Sequence, residues 1–201
     1  MDFIYERFKI PRDIKIETVT GGSAYKGKVW KEIAMQIYCE NGKDDFRDIG
    51  HFASGAPFIY GEDSRISISH TDGCLAVATM KVSPDSLLSE FTPETALGID
   101  VEKADRDKVL KLRERFLTDE ELKIIPQDSV EANIIAWTCK EAMLKAGMDS
   151  SIDWRHDIVV TRLPSPGKDG EGFIHLRGEK WTFHLHTLPY EHFIITVATI
   201  Q

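Results

Sequence analysis

The chain has 201 residues, 42 % of them apolar and 29 % charged, and a formal charge of −8. That composition suits one large domain or two small packed lobes and argues against extended disorder. The acidic balance disfavours nucleic acid as a partner, which needs a basic surface, and no apolar run reaches the ~18–20 residues of a membrane helix.

Phe3 to Ile10 alternates as a strand and stops at Pro11. Ser23 caps a predicted helix running to about Glu40, with Val29, Trp30, Ile33, Ala34, Ile37 and Tyr38 as its apolar stripe. Asp44 to Asp63, with Gly55-Ala56-Pro57, reads as a loop. Arg65 to Thr71 and Cys74 to Met80 form a hairpin around Asp72-Gly73. Ser83 to Thr95 reads as a second loop and Ala96 to Glu102 as a strand.

Three predicted helices follow. The first covers Asp105 to Phe116. Thr118 and Glu121 have capping-box spacing and start a short helix that ends at Pro126. Asp128 and Glu131 start the third, which runs to Ala146 and stops at Gly147. The remainder is β-rich: Ile158–Leu163, Gly172–Arg177, Lys180–Thr187 and His192–Ile200, with Pro164-Ser165-Pro166-Gly167 as a turn. Ile68-Ser69-His70-Thr71 before Val77-Ala78-Thr79 is faintly echoed by Leu185-His186-Thr187 before Val197-Ala198-Thr199. The echo suggests two related lobes.

The N-terminus has neither the basic start nor the apolar stretch of a signal peptide. Cys39, Cys74 and Cys139 are scattered and make no CxxC pair, so neither a disulfide framework nor a zinc site is expected. A reducing, cytoplasmic setting fits.

Four segments could carry chemistry. On a strand, Gly98, Asp100 and Glu102 share one face, with Leu97, Ile99 and Val101 on the other. Two carboxylates so placed can turn toward one hard cation, and Gly98 leaves room for a ligand beside the backbone. At helical spacing Trp137, Glu141, Leu144 and Lys145 lie near one face. Ser69-His70 precedes the hairpin turn, where a histidine can donate to phosphate. Lys103, Arg106, Lys108, Lys111, Arg113 and Arg115 put six bases in thirteen residues. Each segment alone also fits a bland account: a solvated strand face, a surface Glu–Lys pair, a turn histidine, a mixed-charge helix.

In order, Ser69-His70, Gly98-Ile99-Asp100-Val101-Glu102 and Trp137-Thr138-Cys139-Lys140-Glu141-Ala142-Met143-Leu144-Lys145 resemble the 4'-phosphopantetheinyl transferases, in particular the two-lobed type that activates surfactin synthetase. Thr138 replaces the family's usual serine. Arg115-Phe116 also resembles a family feature, and Gly55-Ala56-Pro57 stands where the family usually has Gly-Lys-Pro. The resemblance runs from about Gly55 to Lys145.

It implies an α+β fold of two similar lobes, 1–97 and 98–201, related by a pseudo-twofold, each an antiparallel sheet packed with a long helix. It implies transfer of 4'-phosphopantetheine from coenzyme A to a serine of an acidic apo acyl or peptidyl carrier protein, with release of 3',5'-ADP. Asp100, Glu102 and Glu141 would hold Mg²⁺. Glu141 would also take the serine proton, directly or through water or a relay with Glu102. Lys145 would neutralise the pyrophosphate. His70, with Ser69 nearby, would contact the 3'-phosphate, and Gly55 and Pro57 would line the coenzyme site. Ala56 lacks the lysine that often meets the nucleotide's phosphate, and Lys26, Lys28 or Lys31 is the expected substitute. The Lys103–Arg115 run is the expected carrier-docking surface. A two-lobed chain can complete its site as a monomer. Two alternatives compete: a non-catalytic module binding coenzyme A or carrier protein, and another Mg²⁺-dependent nucleotide enzyme. The retained acidic residues and Lys145 argue against the first. The Ser-His hairpin and the lack of a P-loop argue against the second.

Overall fold

The computed structural model describes residues 4–10, 14–20, 49–83, 92, 95–165 and 168–200. The expected helix Ser23–Glu40 with Lys26, Lys28 and Lys31 lies outside them, as do Cys39, most of Ser83–Thr95 and the dipeptide Pro166-Gly167.

Alternation makes the strands. β1 (Ile4–Ile10) pairs antiparallel with β2 (Ile14–Thr20), a strand beyond the expected stop. The loop expected over Asp44–Asp63 contains two strands, β3 (Ile49–His51) and β4 (Pro57–Ile59). Three residues each are too few to display a period in sequence. β5 (Ser64–Thr71) and β6 (Cys74–Lys81) form the predicted hairpin. These six strands make one antiparallel sheet, ordered β1-β2-β6-β5-β4-β3.

The second sheet is built from β7 (Leu97–Lys103), β8 (Ile158–Arg162), β9 (Gly170–Leu176), β10 (Glu179–Tyr190) and β11 (Phe193–Ile200). It is antiparallel and ordered β7-β11-β10-β9-β8. The two orders correspond. In each sheet a leading strand (β2 or β7) is followed by a four-strand meander whose last strand (β6 or β11) returns to pair with the leader. The echoed segments fall on equivalent hairpins, β5–β6 and β10–β11.

The helix expected over Asp105–Phe116 is two shorter pieces: a 3-10 helix, Asp107–Lys111, and α1, Arg113–Phe116. Neither start has a side-chain cap, so nothing offsets the orphaned N–H groups of a longer helix. α2 (Asp119–Ile124) has the predicted capping box, with Thr118 and Glu121 exchanging both hydrogen bonds. α3 (Val130–Gly147) is the one long helix among the described residues. Its cap is Ser129, not Asp128: the Ser129 hydroxyl accepts from the Ala132 N–H at 3.1 Å. It continues through Gly147 because that glycine serves close packing, a Cβ there lying 2.8 Å from Ile152 Cδ1. Met148 makes the left-handed exit instead.

β7 sits at the junction of three layers. Leu97, Ile99 and Val101 share a core with Ile14 and Ile16 of β2 and Cys74, Ala76 and Ala78 of β6. The opposite face of the second sheet packs on α3 through Cys139, Ala142, Met143 and Ala146. No helix of the described residues is long and apolar enough to cross a membrane.

Candidate active site

Gly98 brings the acidic strand to the helix. A Cβ on it would lie 1.9 Å from the Ala142 carbonyl oxygen and 2.7 Å from the Ala146 nitrogen. The space expected there for a ligand is therefore filled by the backbone of α3. The close approach sets Asp100 and Glu102 on β7 beside Glu141 and Lys145 on α3. The polar face of β7 is not solvated: Asp100 is only 5 % exposed.

Asp100 is held from two sides. Lys145 Nζ donates to Asp100 Oδ1 at 2.8 Å and to the Ile99 carbonyl at 3.0 Å. The Ser69 hydroxyl donates to the same Oδ1 at 2.8 Å. Lys145 thus pairs with the strand carboxylate rather than with Glu141 one turn away. The N–H groups of Ile99 and Val101, on the β7 edge away from β11, find hydroxyls: Ser67 Oγ at 3.0 Å and Ser69 Oγ at 3.3 Å. Ser69, expected beside the coenzyme's phosphate, has this positioning task as well.

Two buried oxygens, Asp100 Oδ2 and Glu102 Oε2, have no hydrogen-bond partner. Glu102 Oε1 accepts from Arg106, whose guanidinium also lies over the Trp137 ring. Glu141 is half-buried. Burial pushes its carboxyl up to about 7, and the Asp100 charge adds to the rise while Lys145 opposes it. Among the described residues no three His, Cys, Asp or Glu side chains are already gathered around one cation position. The donor chemistry nevertheless fits a divalent cation: the oxygens are carboxylate, two of them are buried without partners, and their mutual repulsion is what a cation relieves.

His70 is exposed on β5 as a whole residue, but its ring is partly desolvated, and that together with the Lys145 charge holds it below its usual value of 6.5. Gly55 and Pro57 stand apart from it. They join Ala56, Arg65, Lys145 and Asp149 around a cavity of about 520 Å³ that runs between β5 and the end of α3. Neither Ser69 nor His70 lines that cavity.

The remaining motif residues are structural. Thr138, in the place of the usual serine, bonds Thr196 of β11 at 2.7 Å. Trp137 and Phe116 lie in an aromatic cluster with Trp154. Lys140 is fully buried, donating to Glu121 Oε2 at 2.9 Å and to the Ile158 carbonyl at 2.6 Å. Glu121 also accepts from the N–H groups of Val160 and Thr118. That knot of α2, α3 and β8 was missed in sequence. Its one signal is a lysine inside an otherwise apolar stretch. In the basic run, Arg113 is buried against the Ile125 carbonyl and is removed from the expected docking surface. Lys108, Lys111 and Arg115 remain exposed.

The described geometry thus sets two strand carboxylates, Asp100 and Glu102, beside Glu141 and Lys145 of α3, and Lys145 also lines the cavity of about 520 Å³. A family model described as the 4'-phosphopantetheinyl transferase superfamily matches residues 96–198, more than half of the chain, and the chain belongs to that superfamily. The superfamily uses coenzyme A and acts on carrier proteins. No curated protein matches the chain.

Proposed function

We propose that the chain is a holo-carrier-protein synthase of the two-lobed, surfactin-synthetase-activating type, with lobes 1–97 and 98–201 related by a pseudo-twofold. The carrying observation is Asp100, fixed by Lys145 and Ser69 on one oxygen while the other is buried and unpartnered. The carrier serine oxygen bonds to the β-phosphorus of coenzyme A. The bond from that phosphorus to the bridging oxygen breaks, and 3',5'-ADP leaves with the electron pair.

Asp100, Glu102 and Glu141 would hold Mg²⁺, which when bound supplies charge neutralisation at the pyrophosphate. Glu141 takes the serine proton, directly or through a water. Lys145 faces the pyrophosphate and stabilises charge developing on the leaving group. Positioning and electrostatics supply most of the rate in such transfers. Incubation with coenzyme A, Mg²⁺ and an apo carrier should add one phosphopantetheine arm to the carrier serine, read by mass spectrometry. Glu141→Gln should abolish the gain. No gain with the unaltered protein would leave the non-catalytic module as the better reading.

The acidic carrier docks on the exposed bases after β7. Lys108→Glu with Lys111→Glu should raise the carrier KM several-fold while leaving coenzyme A binding unchanged. An unchanged carrier KM would remove this surface.

A further inference from the structure

Ser69 stands where the first sheet meets the acidic strand. It shares a face of β5 with Ser67 by strand alternation. Both hydroxyls reach the β7 edge. Ser67 Oγ accepts from the Ile99 N–H at 3.0 Å, and Ser69 Oγ accepts from the Val101 N–H at 3.3 Å. Ser69 does one thing more: its hydroxyl donates to Asp100 Oδ1 at 2.8 Å. A serine hydroxyl carries one proton to donate. That of Ser69 is committed to Asp100, so none is left for the coenzyme's phosphate, the contact that the resemblance implies. Nor does Ser69 line the cavity, and it is only 6 % exposed.

The arrangement at Asp100 shows what the bond achieves. Oδ1 accepts from Ser69 on β5 and from Lys145 on α3, both at 2.8 Å. Donors from two separate elements fix the plane of the carboxylate. Oδ2 is buried and has no hydrogen-bond partner among the described residues, so it is the oxygen left for a cation. The two donors differ in charge. Lys145 repels a divalent ion beside the carboxylate that it holds. The hydroxyl orients the same carboxylate and adds no positive charge.

We propose that Ser69 is a positioning residue for divalent-cation binding: it orients Asp100 so that the second carboxylate oxygen is free for the ion, and it does not bind coenzyme A. The inference rests on the reading of Asp100 as a metal ligand.

Mn²⁺ serves as the probe, with the free ion read by electron paramagnetic resonance as the protein is titrated. Ser69→Ala should weaken Mn²⁺ by about 10- to 100-fold, the usual effect of removing a partner of a ligating carboxylate. Ser69→Thr, which keeps the hydroxyl and suits a strand, should stay within about threefold of the unaltered protein. Ser67→Ala separates positioning from edge capping. It removes the matching β7 contact and should lower the urea midpoint much as Ser69→Ala does, yet leave Mn²⁺ affinity within about twofold. Metal-free coenzyme A binding, measured by calorimetry, should be the same in Ser69→Ala as in the unaltered protein. Unchanged Mn²⁺ affinity in a folded Ser69→Ala variant, equal Mn²⁺ losses in the two alanine variants, a folded Ser69→Thr variant as weak as Ser69→Ala, or a fall in metal-free coenzyme A binding in Ser69→Ala would each overturn the proposal. Absence of Mn²⁺ binding by the unaltered protein would defeat the metal reading beneath it, and the proposal with it.

Discussion

A single methyl group at position 98 would strike the Ala142 carbonyl oxygen at 1.9 Å, and both partners are backbone-anchored, so neither side can swing away. Gly98→Ala should therefore cost at least the ~1–3 kcal/mol of an overpacked core and separate Asp100 from Lys145. Urea unfolding and transfer activity should fall together; an unchanged urea midpoint would show that β7 and α3 are not held as described. The Glu121–Lys140 knot has the opposite logic. Removing one partner leaves a buried charge, so Glu121→Ala should cost ~3–5 kcal/mol, whereas an apolar pair at both positions should recover most of the loss. A double variant as unstable as the single one would contradict this. His70 carries a pH signature. Its folded pKa lies below the unfolded 6.5, so as pH falls through 6.5 the unfolded chain binds the proton first and stability declines. His70→Gln should flatten thermal stability below about pH 6.5, and an unaltered slope would count against the shift.

At the level of elements, legibility followed length and local chemistry. The β5–β6 hairpin was readable from Asp72-Gly73, and α2 from Thr118 and Glu121, because a turn and a cap are written within four residues. β3 and β4 were not, since three-residue strands draw their identity from neighbours. The sequence predicts one helix where the 3-10 piece and α1 stand, because residue spacing does not reveal missing caps. For the candidate site, the motifs named Asp100, Glu102, Glu141 and Lys145. They could not disclose that Lys145 reaches across to Asp100, or that Gly98 faces a helix, because both depend on how closely β7 and α3 pack.

Across the whole molecule, the matching strand orders mean that each sheet closes on its own leading strand, while the core beneath β7 is common to both. The candidate site inherits this division. The acids and Lys145 come from the second sheet and α3, and the hydroxyls that fix Asp100 and the edge of β7 come from β5. Sequence periodicity suggested the two halves through a faint echo. It could not reveal that the two sheets meet at a seam, because nothing local in Ser67 or Ser69 marks them as partners of a distant strand.

That seam has a consequence for solubility. The outer edge of β7 is capped by two hydroxyl groups rather than by another strand's backbone. Residues 96–198, the part that the superfamily model covers, would on their own lay bare both that edge and the apolar face of Leu97, Ile99 and Val101. An open edge beside an apolar face is a template for pairing with another chain. Expressed alone, this segment should self-associate in gel filtration, whereas the full chain keeps its own edge covered. A well-behaved monomer from the segment would show that the hydroxyl seam is dispensable as a guard.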